Sequence, residues 1–252
     1  MIKLIDLLYE NQGNPKVIFL AGAPASGKSF LSKQLIPSSF TKINVDDWYE
    51  ELLKKSGLGT KQKDFNPEQL SKAGELMAQA REITKKKLDT LSQSKQNLLI
   101  DGTGASSKTL LAKKQELESL GYQCLMLMIY VSPLTALERN KQRDRSLMPG
   151  IILRTWRDVY NNINVFKQAF KNNFRLINND PKNANREFNS ELLKPYLEDS
   201  LAKGKPKTPE EQAKSKVDKD KLNKEIEEMI KNNNTFASLE NVKLAVNNFI
   251  ND

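Results

Sequence analysis

The run VIFLAGAPASGKS, residues 17–29, constrains this chain more than any other stretch. Val17–Ala21 reads as a buried strand. Gly22, Gly27, Lys28 and Ser29 then follow in the pattern G-x-x-x-x-G-K-S, and Phe30, Leu31 and Leu35 continue as a helix. Glycines let such a loop wrap closely, so that its backbone N–H groups and the helix N-terminus face an anion. The pattern predicts a nucleotide-phosphate cradle with contacts from Gly22, Ala23, Pro24, Ala25, Ser26, Gly27, Lys28, Ser29 and Phe30. Lys28 is expected to reach the β- and γ-phosphates of ATP, and the Ser29 hydroxyl to hold Mg²⁺.

The rest of the chain supplies the sheet that such a loop requires. Leu98–Ile100, Cys124–Val131 and Phe174–Ile177 read as further strands, and Thr41–Val45 as a short one. Helical patterns lie between them. From Asn66 to Leu91, a capping asparagine and Pro67 precede a stripe of Leu70, Ala73, Leu76, Met77, Ala80 and Ile83. Ser132 and Pro133 open another helix. This alternation predicts an α/β fold: a five-stranded parallel sheet of the P-loop NTPase type with helices on both faces.

Beyond Asp180 the composition shifts. A helix over Asn189–Leu201 precedes a Lys/Gly/Pro-rich linker at Lys203–Pro209. Leu222, Ile226, Met229 and Ile230 then form one apolar face, and Leu239, Val242, Ala245, Val246 and Phe249 another. Joined by Asn232–Thr235, these read as a helical hairpin. The expected organisation is a catalytic domain over residues 1–204 and a helical appendage over 205–252, whose apolar faces await a second protomer or a protein partner.

Composition narrows the chemistry. The chain has 252 residues and no histidine, which excludes a phosphohistidine relay, a Ser-His-Asp triad and a histidine-ligated metal. Its single cysteine, Cys124, lies in an apolar run and reads as a buried, inert thiol. The net charge of +9 suits nucleotide phosphates or a nucleic-acid acceptor, although the lysines are scattered. No apolar run is long enough to span a bilayer, and the N-terminus reads as a short amphipathic helix, so the expected location is cytoplasmic.

Acid–base work therefore falls to carboxylates or lysines. Ligands of α/β sheets bind beyond the carboxyl ends of the strands, and Asp46 and Asp101 fall there. Asp46 is the expected general base toward an acceptor hydroxyl, a role worth about 10²–10⁴ in rate. Asp101 is the expected magnesium carboxylate. Each type also caps helices, and Asp47, ahead of WYEELL, suits that role better. Trp48 and Tyr49, just past Asp46, are the aromatics placed to stack a base. The stretch LERNKQRDRSLMPG carries Arg139 and Arg143 four apart on one helix face, with Arg145 beyond and a break at Met148–Gly150. A cationic helix end beside a turn reads as a phosphoryl-transfer lid, and such an arginine is worth about 10³–10⁵ in rate. Arg154 and Arg157 follow and fit a solvated face as well as a lid.

Taken together, GAPASGKS, KINVDDWYE, LLIDGTGAS and LERNKQRDRSLMP resemble the kinase domain of phage polynucleotide 5′-kinases and of zeta-toxin-like kinases, over about residues 15–180. The resemblance implies Asp46 as base, Asp101 as the strand-end acid, Thr103 as an acceptor contact, and Arg139, Arg143 and Arg145 as lid arginines. It implies ATP and Mg²⁺ as cofactors and a hydroxyl acceptor: a polynucleotide 5′-hydroxyl first, a nucleotide sugar as the alternative. Zeta toxins are held by a small antitoxin. The DxDxT phosphatase signature of many phage polynucleotide kinases is missing. Outside the kinases, a nucleotide-dependent switch or assembly protein fits the same loop.

Overall fold

The computed structural model describes residues 14–60, 65–143, 146–181 and 236–251. Five parallel strands, β1 (Lys16–Gly22), β2 (Thr41–Ile43), β3 (Leu98–Asp101), β4 (Gln123–Tyr130) and β5 (Phe174–Asn178), form one sheet in the order β2-β3-β1-β4-β5. Every residue of central β1 is buried, as expected of a strand covered on both faces. The chain leaves β1 toward β2 and β3 on one side, then crosses to β4 and β5 on the other. The carboxyl end of β1 is therefore a switch point, where such sheets hold ligands.

Side chains alternate across the sheet and divide the core. Val17, Phe19, Ala21, Met126, Met128 and Tyr130 face one layer. It is built from α4 (Ser107–Ser119), α6 (Pro149–Tyr160) and α7 (Ile163–Phe170), with Leu88 from the end of α3 (Pro67–Gln93). Ile18, Leu20, Leu125, Leu127 and Ile129 face the other, where α1 (Lys28–Leu35) contributes Leu31 and Leu35. A third cluster lies where Tyr49 and Leu53 of α2 (Val45–Lys55) meet Ala73, Leu76 and Ala80 of α3. Asn66 and Gln69 close a reciprocal capping box at the start of α3. Leu70, assigned to the inward stripe from the sequence, is 52% exposed.

The last described helix, α8 (Leu239–Asn251), is the C-terminal helix expected from the Leu239–Phe249 stripe. Val242, Val246 and Phe249 are buried against Ile18, Leu20, Leu31 and Ile177, in the same layer as α1. Lys16 Nζ lies 5.3 Å from the Phe249 ring centroid, and the Ala237 N–H donates to the Leu176 carbonyl over 2.8 Å. The apolar face expected to await a partner belongs to this chain's own core. The N-terminal helix, the helix over Asn189–Leu201 and the first hairpin helix lie outside the described residues. No described helix is long and apolar enough to cross a membrane.

Candidate active site

The register of the sheet brings Asp101 to the same edge as the loop after β1. Leu20 of β1 pairs with both Asp101 of β3 and Leu127 of β4, so Asp101 ends its strand beside the entrance to the loop. Ile43 pairs with Ile100. Asn44 and Asp101 are thus each one step past a paired residue, on adjacent strands. Beyond β1, the Ser26 N–H donates to the Ala23 carbonyl over 3.1 Å. Ala25 is held at φ 63°, a left-handed conformation that costs a non-glycine residue about 1–3 kcal/mol. Gly27, at φ 88°, leads into α1.

Lys28 folds back over this loop. Its ammonium donates to the carbonyls of Gly22 (2.8 Å) and Ala23 (3.2 Å). Burial pulls its pKa below the ordinary lysine value. The Asp101 and Asp46 charges oppose that shift, and Arg143 and Lys42 add to it. All four groups are therefore close enough to Lys28 for their fields to be felt there. Ser29 sits beside it in the first turn of α1.

Asp101 is almost fully buried, its side chain 3% exposed. Its Oδ2 accepts from the Asn44 amide over 2.7 Å and lies 3.5 Å from Lys42 Nζ. Its Oδ1 is buried without a hydrogen-bond partner. A desolvated, unpartnered carboxylate oxygen beside a phosphate cradle is a fitting donor for a hard cation such as magnesium, which takes few protein ligands and relies on phosphates and water for the rest. Burial alone would pull the pKa of Lys42 down, but the carboxylates of Asp47 and Asp101 outweigh it and raise it.

Asp46 occupies the first turn of α2 and is exposed. The cap of this helix is Asn44, whose side-chain oxygen accepts from the Asp46 N–H over 2.6 Å. Asp47, expected as the cap, instead pairs with Lys42 at 3.0 Å. Tyr49, proposed to stack a base, is only 2% exposed and is used in the α2–α3 contact, and Trp48 packs partly against the same cluster.

Thr103 lies in the loop after β3, and its carbonyl accepts from the Gly22 N–H over 3.0 Å. Gly104 follows at φ 76°, where an added Cβ would stand 2.9 Å from that of Ala21. The Asn162 amide holds the same loop through the carbonyls of Gly104 (2.9 Å) and Ala105 (3.1 Å).

The segment read from the sequence as a lid differs from that expectation in two ways. The helix carrying Arg139, α5 (Pro133–Lys141), ends before Arg143, which lies in the turn beyond Gln142. Met148–Pro149–Gly150, read as a break, is the start of α6, with Met148 at the N-cap and Pro149 in the first turn. Proline is pre-organised for that position. Asn140 ties α5 to the residue before Met148, donating to the Leu147 carbonyl (2.8 Å) and accepting from its N–H (3.0 Å). Arg139 Nη2 donates to the Asn179 carbonyl over 2.9 Å. Phe30 is 63% exposed. Arg145 lies outside the described residues. Cys124 is buried, and burial pushes its thiol up to about 12.

Residues 4–186 match the family model for the zeta toxin. The chain belongs to the zeta toxin family. With that membership goes a P-loop kinase fold, and phosphotransfer is the reaction class that membership supports. Among curated proteins, none matches the sequence. Solved structures similar to this zeta-toxin-family chain include one from the PezAT chromosomal toxin-antitoxin system of Streptococcus pneumoniae. It is 16% identical with a TM-score of 0.47, covering 77% of this chain and 90% of that one. Another belongs to the Pnkp1/Rnl/Hen1 RNA repair complex, 16% identical with a TM-score of 0.47, covering 62% of this chain and 48% of that one.

Proposed function

We propose that this chain is a Mg·ATP-dependent kinase that transfers the γ-phosphate to an acceptor hydroxyl. The observation that carries the reading is the Lys28 ammonium, folded over the Gly22 and Ala23 carbonyls within the fields of Asp101 and Asp46. Incoming phosphates offer that ammonium full negative charge in place of two carbonyl dipoles, which offsets its desolvation. The Ser29 hydroxyl and the Asp101 carboxylate would hold magnesium, which would supply neutralising charge to the phosphates. Asp46 takes the acceptor proton as the new O–P bond forms and the bond to the β-phosphate oxygen breaks, releasing ADP. Lys28, Arg139 and Arg143 hold negative charge on the transferring group.

Two acceptors are each favoured by an observation. The family match, together with the Asp-Gly-Thr-Gly loop at 101–104, favours a nucleotide sugar contacted by Thr103. The +9 charge favours a polynucleotide 5′-hydroxyl. We rank the nucleotide sugar first, the acceptor that the resemblance to zeta-toxin-like kinases implies, which reverses the order expected from the sequence. The test offers γ-labelled ATP with a uridine-diphosphate amino sugar, with a 5′-hydroxyl oligonucleotide, and with neither. The expected result is label entering the sugar nucleotide, abolished in Lys28→Ala. Label entering only the oligonucleotide reverses the ranking. Slow hydrolysis without a labelled acceptor overturns the kinase reading in favour of a nucleotide-dependent switch.

A further inference from the structure

We infer that Asn179 is a positioning residue that locks the phosphate loop and the lid arginine into one frame, an inference resting on the nucleotide-binding reading of that loop. Asn179 follows β5, one step past the pairing of Tyr130 with Asn178. Its N–H donates to the Tyr130 carbonyl over 2.8 Å, which anchors it to the sheet. Its side-chain amide donates to the Ser26 carbonyl over 2.8 Å. Its own carbonyl accepts from Arg139 Nη2 over 2.9 Å. One residue thus bonds the sheet, the loop and the lid helix.

The bond to Ser26 matters because of peptide geometry. The Ser26 carbonyl and the Gly27 N–H belong to one planar trans unit and point in opposite directions. Holding the carbonyl outward on Asn179 fixes the N–H on the other side, where a bound phosphate needs it. Without that hold, the unit lies next to a glycine at φ 88° and behind Ala25 at φ 63°, and a glycine neighbour makes such a peptide easy to rotate. The packing is close. A Cβ on Gly27 would collide with Asn179 Nδ2 and stand 3.6 Å from Arg139 Nη1. The loop's glycine therefore also makes room for the asparagine and brings the lid guanidinium to the loop.

The test measures binding of AMP, ADP and a non-hydrolysable ATP analogue with magnesium, in the full chain and in Asn179→Ala and Asn179→Asp, alongside melting temperature. Asn179→Asp keeps the side-chain size and replaces the donor with an oxygen facing the Ser26 carbonyl. The expected result is an affinity loss that grows with phosphate number: little for AMP, about tenfold for the ATP analogue in Asn179→Ala, and more in Asn179→Asp. Arg139→Ala added to Asn179→Ala should cost less than the two single losses combined, because both act through one frame. An equal loss for all three nucleotides that tracks melting temperature would make Asn179 merely structural and overturns the inference, as does unchanged affinity in both variants. If the unaltered chain binds none of the nucleotides, the kinase reading itself fails, and that result is distinct from either.

Discussion

The Asn44 side chain donates to Asp101 Oδ2 over 2.7 Å and accepts from the Asp46 N–H over 2.6 Å, so one amide joins the two carboxylates assigned to opposite sides of the reaction. The sheet register makes this possible, because Asn44 and Asp101 each follow one member of the Ile43–Ile100 pair.

Asn44→Ala should therefore act on both fold and turnover. It removes the cap of α2, worth about 1 kcal/mol, and a hydrogen bond to a buried carboxylate, worth about 1.5–3 kcal/mol. Asn44→Asp retains capping ability but sets a carboxylate against Asp101. Urea unfolding and turnover measured side by side should show Asn44→Asp losing more activity than its change in stability explains. Loss of stability in Asn44→Asp without a further loss of turnover would detach Asn44 from the site.

Lys28 gives a pH dependence of defined sign. Burial holds its folded-state pKa below the unfolded value of 10.5. The native protein thus binds fewer protons than the unfolded chain between those two values, and stability from this group rises with pH across that window. At neutral pH the charged, desolvated lysine costs stability. Lys28→Met should unfold at equal or higher urea concentration than the unaltered protein, with the gap closing as pH approaches 10.5. Nucleotide affinity should move the other way, falling by about tenfold per pH unit once the free ammonium titrates. Calorimetric titrations over alkaline pH check both, and an affinity that stays flat up to the ordinary lysine range would remove Lys28 from phosphate binding.

The two carboxylates should separate by function. Asp46 is exposed at the start of α2, whereas Asp101 is buried with one oxygen unpartnered. Asp46→Asn should lower turnover by about a hundredfold or more, with ATP affinity nearly unchanged. Asp101→Asn should raise the magnesium concentration needed for half-maximal rate. If Asp46→Asn chiefly weakens ATP binding, Asp46 belongs with the metal rather than the acceptor.

Much of this site was legible because its signals are local. An apolar run before G-x-x-x-x-G-K-S specifies strand, loop and helix at once, and Asp101 is marked by its place at the end of LLID. The asparagines were not legible. Asn44, Asn140, Asn162 and Asn179 sit in segments where asparagine reads as turn chemistry, yet their amides reach Asp101, Leu147, Gly104 and Ser26. Such contacts depend on register and loop closure, which have no periodicity to read. Pro149 was ambiguous for a related reason, since proline both ends a helix and starts one. The stripe Val242, Val246 and Phe249 was visible, but a helical period says only that a face is buried and not against what.

That last ambiguity yields the sharpest stability prediction. If α8 were an appendage, charge on its apolar face would alter assembly and leave nucleotide binding intact. Val246 is 0% exposed beneath the sheet, whereas Leu244 on the same helix is 60% exposed. Val246→Asp should cost about 3 kcal/mol or more, combining lost apolar burial with an unpaired buried charge. Leu244→Asp should stay within about 0.5 kcal/mol. Phe249→Ala should cost about 3 kcal/mol, including the Lys16 contact at 5.3 Å. Because β1 leads from this layer directly into the phosphate loop, the destabilised variants should also lose ATP binding at temperatures where the unaltered protein retains it. Thermal unfolding with and without nucleotide tests this. A Val246→Asp protein as stable as Leu244→Asp would detach α8 from the core.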